Sequence, residues 1–415
     1  MAPLLRPSSR DDFEIAIICA LRIERDAVEA LLDDEYETGG FSYGKAVEDP
    51  NAYTTGRLGN QHVVLAYMSN MGKASAAAVA SNIRHSFQSI KLGLIVGICG
   101  GVPTTPEAIE ILLGDVIIST SVIQIDFGRQ YPNGFVRKRE LEDTLGRANP
   151  EIRAFVERAS GYLVRERLTE KTSIFSTQLC AKNGFQTSTY PGPENDKLYP
   201  STYRHKHQRP DSCTICRCCR DQEDPVCESA LTSFCTDLGC DEMLLVRRDR
   251  VQTASGIRIY GSSTPNEAET ENAQKAMIHF GRIASGDTVM KSGQHRDKIA
   301  GCENVIGFEM ESAGALECIP TVVIKGVCDY SDSHKTKRWQ KYAAATAAAC
   351  AKAFLEEWRT SDKPHSGKYP FLSLALTYFT SGMVGRFRTK HPVNFGEKPT
   401  DSPVKYVIIR TLLEA

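Results

Sequence analysis

Short apolar runs alternate with amphipathic segments over most of the chain. "FEIAIICAL", from Phe13, predicts a short buried strand, and "RIERDAVEALLDDE" then places Ala27, Val28, Leu31 and Leu32 at helical spacing. "HVVLAYMS" repeats the strand pattern, the Ala-rich "GKASAAAVASNIRHSF" predicts a helix, and "LGLIVGICGGV" predicts a strand closing on a glycine pair. "GDVIISTSVIQID" adds a strand after the turn residues Gly114 and Asp115. Farther on, "HFGRIASGDTVM", "SGQHRDKIA", "NVIGFEME", "TVVIKGVCDYSD" and the Ala-rich "WQKYAAATAAACAKAFLEEW" resume the alternation. Such an order implies a mostly parallel sheet covered by helices on both faces. Ligands of these sheets sit at the carboxyl ends of strands, which directs attention to the glycines and acids there.

Between about 140 and 275 the alternation breaks, which predicts an insertion with a Cys-rich part over 203–240. Residues 1–12 are expected to be a flexible N-terminus, 13–358 the main domain, and 359–415 a tail that begins linker-like in its Ser, Pro, Gly and Lys content. Lys and Arg number 50 against 51 Asp and Glu, so no global field favours nucleic acid or an anionic membrane. No secretory signal opens the chain, and no apolar run reaches the ~18 residues that span a bilayer. A cytoplasmic location is the expectation.

Half of the 14 cysteines fall between Cys213 and Cys240; the scattered ones lie in apolar runs and read as small buried hydrophobes. "YRHKHQRPDSCTIC" sets His205 and His207 ahead of a CxxC at Cys213 and Cys216, residue types that suit a structural zinc. Buried or loosely exposed thiols and a redox CxxC are the alternatives.

The densest acidic signal is "GFEMESAGALECIPTVVIKGVCDYSD", which carries Glu309, Glu311, Asp329 and Asp332 around an apolar run. Position alone leaves Asp329 open between a buried acid in apolar surroundings at a strand end and a helix cap, and Glu24 between a site acid and an exposed first-turn acid favoured by the helix dipole. Glu309 reads equally as a solvated acid or a backbone clamp.

Taken in order, "IAIICALRIERDAV", "SNMGKASAA", "IVGICGGV", "LLGDVIIS", "IASGDTVM", "FEMESAGA" and "VVIKGVCDYSD" resemble the purine and uridine phosphorylase superfamily, in particular its nucleosidase branch. "DFGRQYPNGFVRK", "YRHKHQ" and "GVCDYSDSHK" are similar to the nucleoside-phosphorylase-like domain of fungal NLR-type immune receptors. The resemblance covers residues 13 to 358 and implies a three-layer α/β/α fold with a twisted, mostly parallel central sheet. It further implies cleavage of an N-glycosidic bond, with Asp329 protonating the purine, Glu311 gripping ribose hydroxyls above Met310, and Glu24 holding the attacking water. Gly100 and Gly101 would let backbone approach the ligand, and Thr288 and Val289 would stand near the base. The relatives' phosphate ligands fall here on Ile95 and Ile98, whose side chains cannot donate to an anion, so hydrolysis is expected over phosphorolysis.

Cations in or near the motifs, namely Arg129, Arg137, Lys138, Arg282, Lys291, Lys325, His334, Lys335 and Lys337, allow a 5′-phosphorylated substrate such as ATP or dATP. Arg129 and Lys291 are the ones taken as substrate ligands. The expected partner is a small purine nucleoside or nucleotide, with no cofactor needed for the chemistry and homo-oligomers expected from the resemblance. A phosphate-dependent phosphorylase and a non-catalytic nucleotide-binding scaffold are the competing readings.

Overall fold

The computed structural model describes residues 5–38, 41–140, 148–209, 211–258 and 264–359; the tail predicted over 359–415 lies outside them except for Arg359. In chain order the first elements are β1 (Ile15–Cys19), α1 (Arg22–Ala30), β2 (Asp34–Glu35), β3 (Tyr53–Leu58), β4 (Gln61–Tyr67), α2 (Lys73–Ser86), β5 (Leu92–Gly101) and β6 (Val116–Gln124). A hairpin of β7 (Gly128–Tyr131) and β8 (Gly134–Arg137) leads into α3 (Pro150–Ser160), α4 (Tyr162–Cys180), the short α5 (Thr214–Cys218) and α6 (Cys235–Leu238), then α7 (Asp249–Ala254) and α8 (Glu267–Gln274). The chain returns with β9 (Ile278–Ser285), α9 (Gly293–Glu303), β10 (Val305–Glu309), α10 (Ser312–Leu316), β11 (Thr321–Asp329) and α11 (Gln340–Glu357).

Nine strands form one sheet in the order β10-β9-β6-β11-β5-β1-β4-β3-β2. The pairings among β1, β4, β5 and β11, and among β6, β9 and β10, are parallel. Those of β6 with β11, β3 with β4 and β2 with β3 are antiparallel. The sheet also curls: β10 reaches back to pair antiparallel with β5, so β5, β11, β6, β9 and β10 close a ring. Strand β5 is the seam of that ring, and its end takes Asp329 of β11 on one side and Phe308 of β10 on the other, both at Gly100.

Alternation along the central strands feeds two cores. Ile15 and Ile17, Leu94 and Val96, and Val322 and Ile324 point to one face, where they meet α1, α4 and α11. Ala16 and Ile18, Ile95 and Cys99, and Val323 and Val327 point to the other, packed with Ala76, Val79, Ala80 and Ile83 of α2. Because side chains of a strand alternate between faces, burial on both makes these runs continuously apolar. α11 is alanine-rich for a steric reason: nearly its whole length is buried, and large side chains would hold it off the sheet.

The predicted insertion grips the strand ends at several points. Arg248 donates to Asp196 at 2.7 Å, Tyr330 donates to the same carboxylate at 2.8 Å, and Arg248 also meets the Tyr330 hydroxyl. Arg250 clasps Asp115 at 2.6 and 2.9 Å, and His279 completes that group at 2.9 Å. Burial alone would push the Asp115 carboxyl up, but Arg250 and His279 hold it well below the usual range.

A Cβ placed on Gly326 would stand 2.0 Å from the backbone oxygen of Ala343 on α11, and neither is a flexible side-chain tip. Gly326→Ala is expected to destabilise the domain by about 1–3 kcal/mol. Urea unfolding with an unchanged slope would show the loss, and an unchanged midpoint would mean that α11 does not press on β11 as described.

Candidate active site

The acids picked out by sequence gather around residues 97–100 of β5. Glu24 (2% exposed) sits in the first turn of α1, where Oε2 accepts the N–H groups of Ala20 at 2.9 Å and Leu21 at 2.8 Å. Its Oε1 accepts the N–H of Ile98 at 2.7 Å, which carries the side chain across to β5. There the strand must be glycine: a Cβ on Gly97 would lie 2.1 Å from Glu24 Oε1. Glu24 thus ties the helix start to the strand: it does stand in the first turn of α1, but buried on backbone donors rather than exposed as that reading expected.

Asp329 (6% exposed) ends β11 beside Gly100, whose hypothetical Cβ would meet Ser331 Oγ at 2.1 Å and Asp329 Oδ1 at 2.9 Å. Its surroundings differ from the apolar ones expected at a strand of Val and Ile. Oδ1 accepts the Ser331 N–H at 2.9 Å, and Oδ2 faces the Lys335 ammonium at 3.0 Å. Ser331 holds a left-handed backbone (φ 55°) in this tight turn. Asp332 also turns inward, and burial pushes its carboxyl up.

Between these two acids lies Lys325, 1% exposed, paired in register with Gly97. Its ammonium is 3.1 Å from Glu311 Oε2. Burial would lower the ammonium pKa, but the charges of Glu311 and Glu24 hold it above its ordinary value. Burial likewise opposes ionisation of Glu311 (4% exposed), yet Lys325 keeps that carboxyl below the usual range. Burial pushes Glu24 up against the pull of Lys325, and burial with the charge of Glu311 pushes Glu309 up. Glu309 is the backbone clamp: it accepts the N–H of Glu311 at 3.0 Å, that of Ser312 at 3.1 Å, and the Ser312 hydroxyl at 2.5 Å. The clamp fixes the turn from β10 into α10 and sets Glu311 and the partly exposed Met310 beside β5.

A separate cavity of about 850 Å³ has Gly286, after β9, and Asp332, after β11, in its lining, but none of Glu24, Glu309, Glu311, Lys325 and Asp329. Thr288, Val289, Met290 and Lys291 line it together with Asp332, Ser333 and His334 and with insertion residues including Tyr203 and His205. Thr288, Val289, Lys291 and His334 therefore share one space, while Gly100 and Gly101 stay with the acids. Arg129 does not join them; it is exposed on β7. Several other cations are committed elsewhere. Arg137 binds Glu303 at 2.8 and 3.1 Å, Arg282 donates to the Glu303 carbonyl at 3.3 Å, and Lys138 lies over the Phe127 ring.

His205, His207, Cys213 and Cys216 do not come together as one set. His205 meets Cys235, Cys240 and His334, whereas Cys213 and Cys216 meet Cys227. Gly97, the ion-pair role of Lys325 and the thiol contacts of His334 went unread in the sequence. A lysine inside the apolar run "TVVIKGVCD" was the available signal, because a buried cation needs a partner.

The fold is nucleoside-phosphorylase-like, with a Cys-rich insertion. The model of the phosphorylase superfamily matches residues 14–202, a span that holds Glu24 and residues 97–101. That match agrees, over residues 14–202, with the resemblance read from the motifs. A nucleotide-binding leucine-rich repeat (NLR)-like protein of Hyaloscypha variabilis is 29% identical over 364 residues, covering 84% of this chain and 30% of the relative. This chain thus spans less than a third of that relative's length. Among solved structures, S-adenosylhomocysteine nucleosidase from Streptococcus pyogenes in complex with 5-methylthiotubericidin is 15% identical, covering 85% of this chain and 99% of that one, with a TM-score of 0.45. The 5′-methylthioadenosine/S-adenosylhomocysteine nucleosidase from Neisseria meningitidis in complex with methylthio-immucillin-A is 15% identical, with 83% and 99% covered and a TM-score of 0.41.

Lys325→Met should leave buried carboxylates without their cation and cost about 3–5 kcal/mol at neutral pH. In the wild type, Glu311 is held down; its contribution is present above its unfolded pKa and is lost as pH falls through the lower folded value. Glu24 and Glu309 are held up, so their ionisation opposes folding, and that opposition fades as they take up protons. The variant's deficit against wild type should therefore shrink steadily on acidification in parallel urea titrations. A deficit independent of pH would contradict the assigned charges.

Proposed function

We propose that the protein hydrolyses the N-glycosidic bond of a purine nucleoside or nucleotide. The observation that carries this reading is the gathering of Glu24, Glu311 and Asp329 around residues 97–100 of β5, at the carboxyl end of the strand. Cleaving such a bond develops an oxocarbenium-like sugar, requires a proton for the departing base, and requires a nucleophile on the other face. In this reading the base enters between Thr288 and Val289, displaces Lys335 from Asp329, and takes its proton from that acid. Glu311, with one oxygen held by Lys325, offers the other to the ribose hydroxyls over Met310. Glu24, raised by burial, orients the water.

Water is favoured over phosphate by the side chains at the matching positions. Ile95 is packed in a core, and Ile98 already spends its N–H on Glu24, so neither supplies the charge-assisted donors that an anion needs. For the 5′ group the proposal is an adenine nucleotide such as ATP, giving adenine and ribose 5′-triphosphate. Its support is narrower than the count of cations in the sequence, resting on Lys291 at the cavity wall and on Lys335 beside Asp329. A cytoplasmic location and homo-oligomeric assembly belong to the same proposal; among the described residues no helix is long and apolar enough to cross a membrane.

The NLR-like relative favours a second reading, a nucleotide-binding module of an immune receptor that oligomerises without turnover. Incubation with ATP, adenosine and methylthioadenosine, with and without phosphate, followed by chromatography, separates the readings. Free adenine in phosphate-free buffer is expected. Base release only with phosphate would identify a phosphorylase, and nucleotide binding without release the module. Asp329→Asn should lower kcat by about 10²–10⁴-fold while the melting temperature holds; wild-type turnover in that variant would remove Asp329 from its role.

A further inference from the structure

Among the described residues, the Cys-rich segment has a small core of Cys216, Ala230 and Leu238 with Cys213, Val226, Cys227 and Cys240 packed against it, little apolar burial to order a loop-rich stretch. Something else must hold it, and metal-ligating side chains are placed to do so. Ligand atoms of His205, Cys235, Cys240 and His334 all lie within 4.8 Å of one another. Cys235 Sγ is 3.5 Å and Cys240 Sγ 3.8 Å from His334 Nδ1. In a tetrahedral zinc site with Zn–S of about 2.3 Å and Zn–N of about 2.0–2.1 Å, sulfur and nitrogen ligands stand about 3.6 Å apart. The spacing matches.

Both imidazoles are also oriented from behind. Nε2 of His334 lies 3.1 Å from the Tyr203 carbonyl, and Nδ1 of His205 lies 3.1 Å from the Ala230 carbonyl. An imidazole N–H donated to a carbonyl leaves the opposite nitrogen as the lone-pair donor, the outer support that metal-binding histidines generally have. The two rings stand at 87° with centroids 4.9 Å apart, and the rings of Tyr199 and Tyr203 flank His334 at 4.3 and 5.5 Å. All four ligating residues are at least partly buried, and the cysteines are free thiols.

We propose that His205, Cys235, Cys240 and His334 bind one structural Zn²⁺. Two thiolates balance its charge, and their two protons leave to solvent on binding. His334 lies five positions after Asp329 and next to Lys335, the partner of Asp329. The ion therefore fastens the insertion to the turn that follows β11, and joins two segments that line the cavity, one with Tyr203 and His205 and the other with Asp332 and His334. Cys213, Cys216 and Cys227 form a separate three-thiol set, with Cys216 and Cys227 Sγ 3.6 Å apart, which supplies an internal control.

The test uses the full chain passed into metal-free buffer, with zinc measured by elemental analysis and Co²⁺ exchanged in as a spectroscopic probe. At least one zinc per chain is expected, together with the intense visible absorption of thiolate-bound tetrahedral cobalt. The pair Cys235→Ser with Cys240→Ser should bind one zinc fewer, whereas Cys213→Ser with Cys227→Ser should keep a zinc and a two-thiolate cobalt spectrum. Chelation should lower the melting temperature of the wild type. Wild-type protein free of zinc and lacking the cobalt absorption would overturn the proposal even if a variant failed to fold, as would zinc content unaltered by loss of Cys235 and Cys240.

Discussion

Lys325 places one positive charge in the interior among Glu24, Glu309 and Glu311, and the rest of the site follows from how that charge is shared. A buried ammonium is tolerated only with carboxylate partners, and buried carboxylates only with a cation or several N–H donors. One ammonium cannot neutralise three acids. Glu311, in contact with it, stays ionised; Glu24 and Glu309 are pushed toward protonation and are carried by backbone donors instead. Glu309 and Glu311 titrate as a pair, so a proton taken by one changes the other. Such a cluster can respond to a polar ligand, because any hydroxyl or base that arrives redistributes the same few protons.

Steric constraint works beside the electrostatics. β5 can serve as the floor of the site because Gly97 and Gly100 lack side chains, which lets Glu24 from one helix and Asp329 from the next strand lie directly on its backbone. Curling of the sheet then brings β10, and with it Glu309 and Glu311, to the same strand end. Parts far apart in sequence meet there without any loop having to reach across the molecule. The insertion adds the outer wall, fastened through Tyr330, His334 and Trp339, all of which follow the catalytic candidate Asp329 within ten residues.

Much of this was legible in the chain. Strands β1, β4, β5, β6, β9, β10 and β11 and helices α1, α2, α9 and α11 follow the predicted segments, because burial on both faces leaves the strands as continuous apolar runs set between helix-forming segments. Closure of the ring was not legible, since the short antiparallel contact of β10 with β5 rests on Gly100 and Gly101, whose pairing partner no local pattern names. The acid-rich run drew attention to Glu309, Glu311, Asp329 and Asp332, but Glu24, Glu311 and Asp329 were singled out by the motif resemblance; the residues that govern them, Gly97 and Lys325, act through tertiary contacts. For the same reason the grouping of cysteines and histidines differed from their spacing. His205 met a histidine more than a hundred residues away, which only the fold brings near. The many cations in the motifs looked like a phosphate site in sequence, and most of them proved to be structural partners of carboxylates, carbonyls or rings.

The most direct measurement is a double-mutant cycle on Lys325 and Glu311, using Lys325→Met, Glu311→Gln and the pair, each unfolded in urea at neutral pH. If one shared charge organises the cluster, the pair will cost less than the sum of the single changes, with a coupling energy of about 1–3 kcal/mol. Losses that add to within about 0.5 kcal/mol would show that Lys325 and Glu311 are held independently, and the account of a single coupled site would fail.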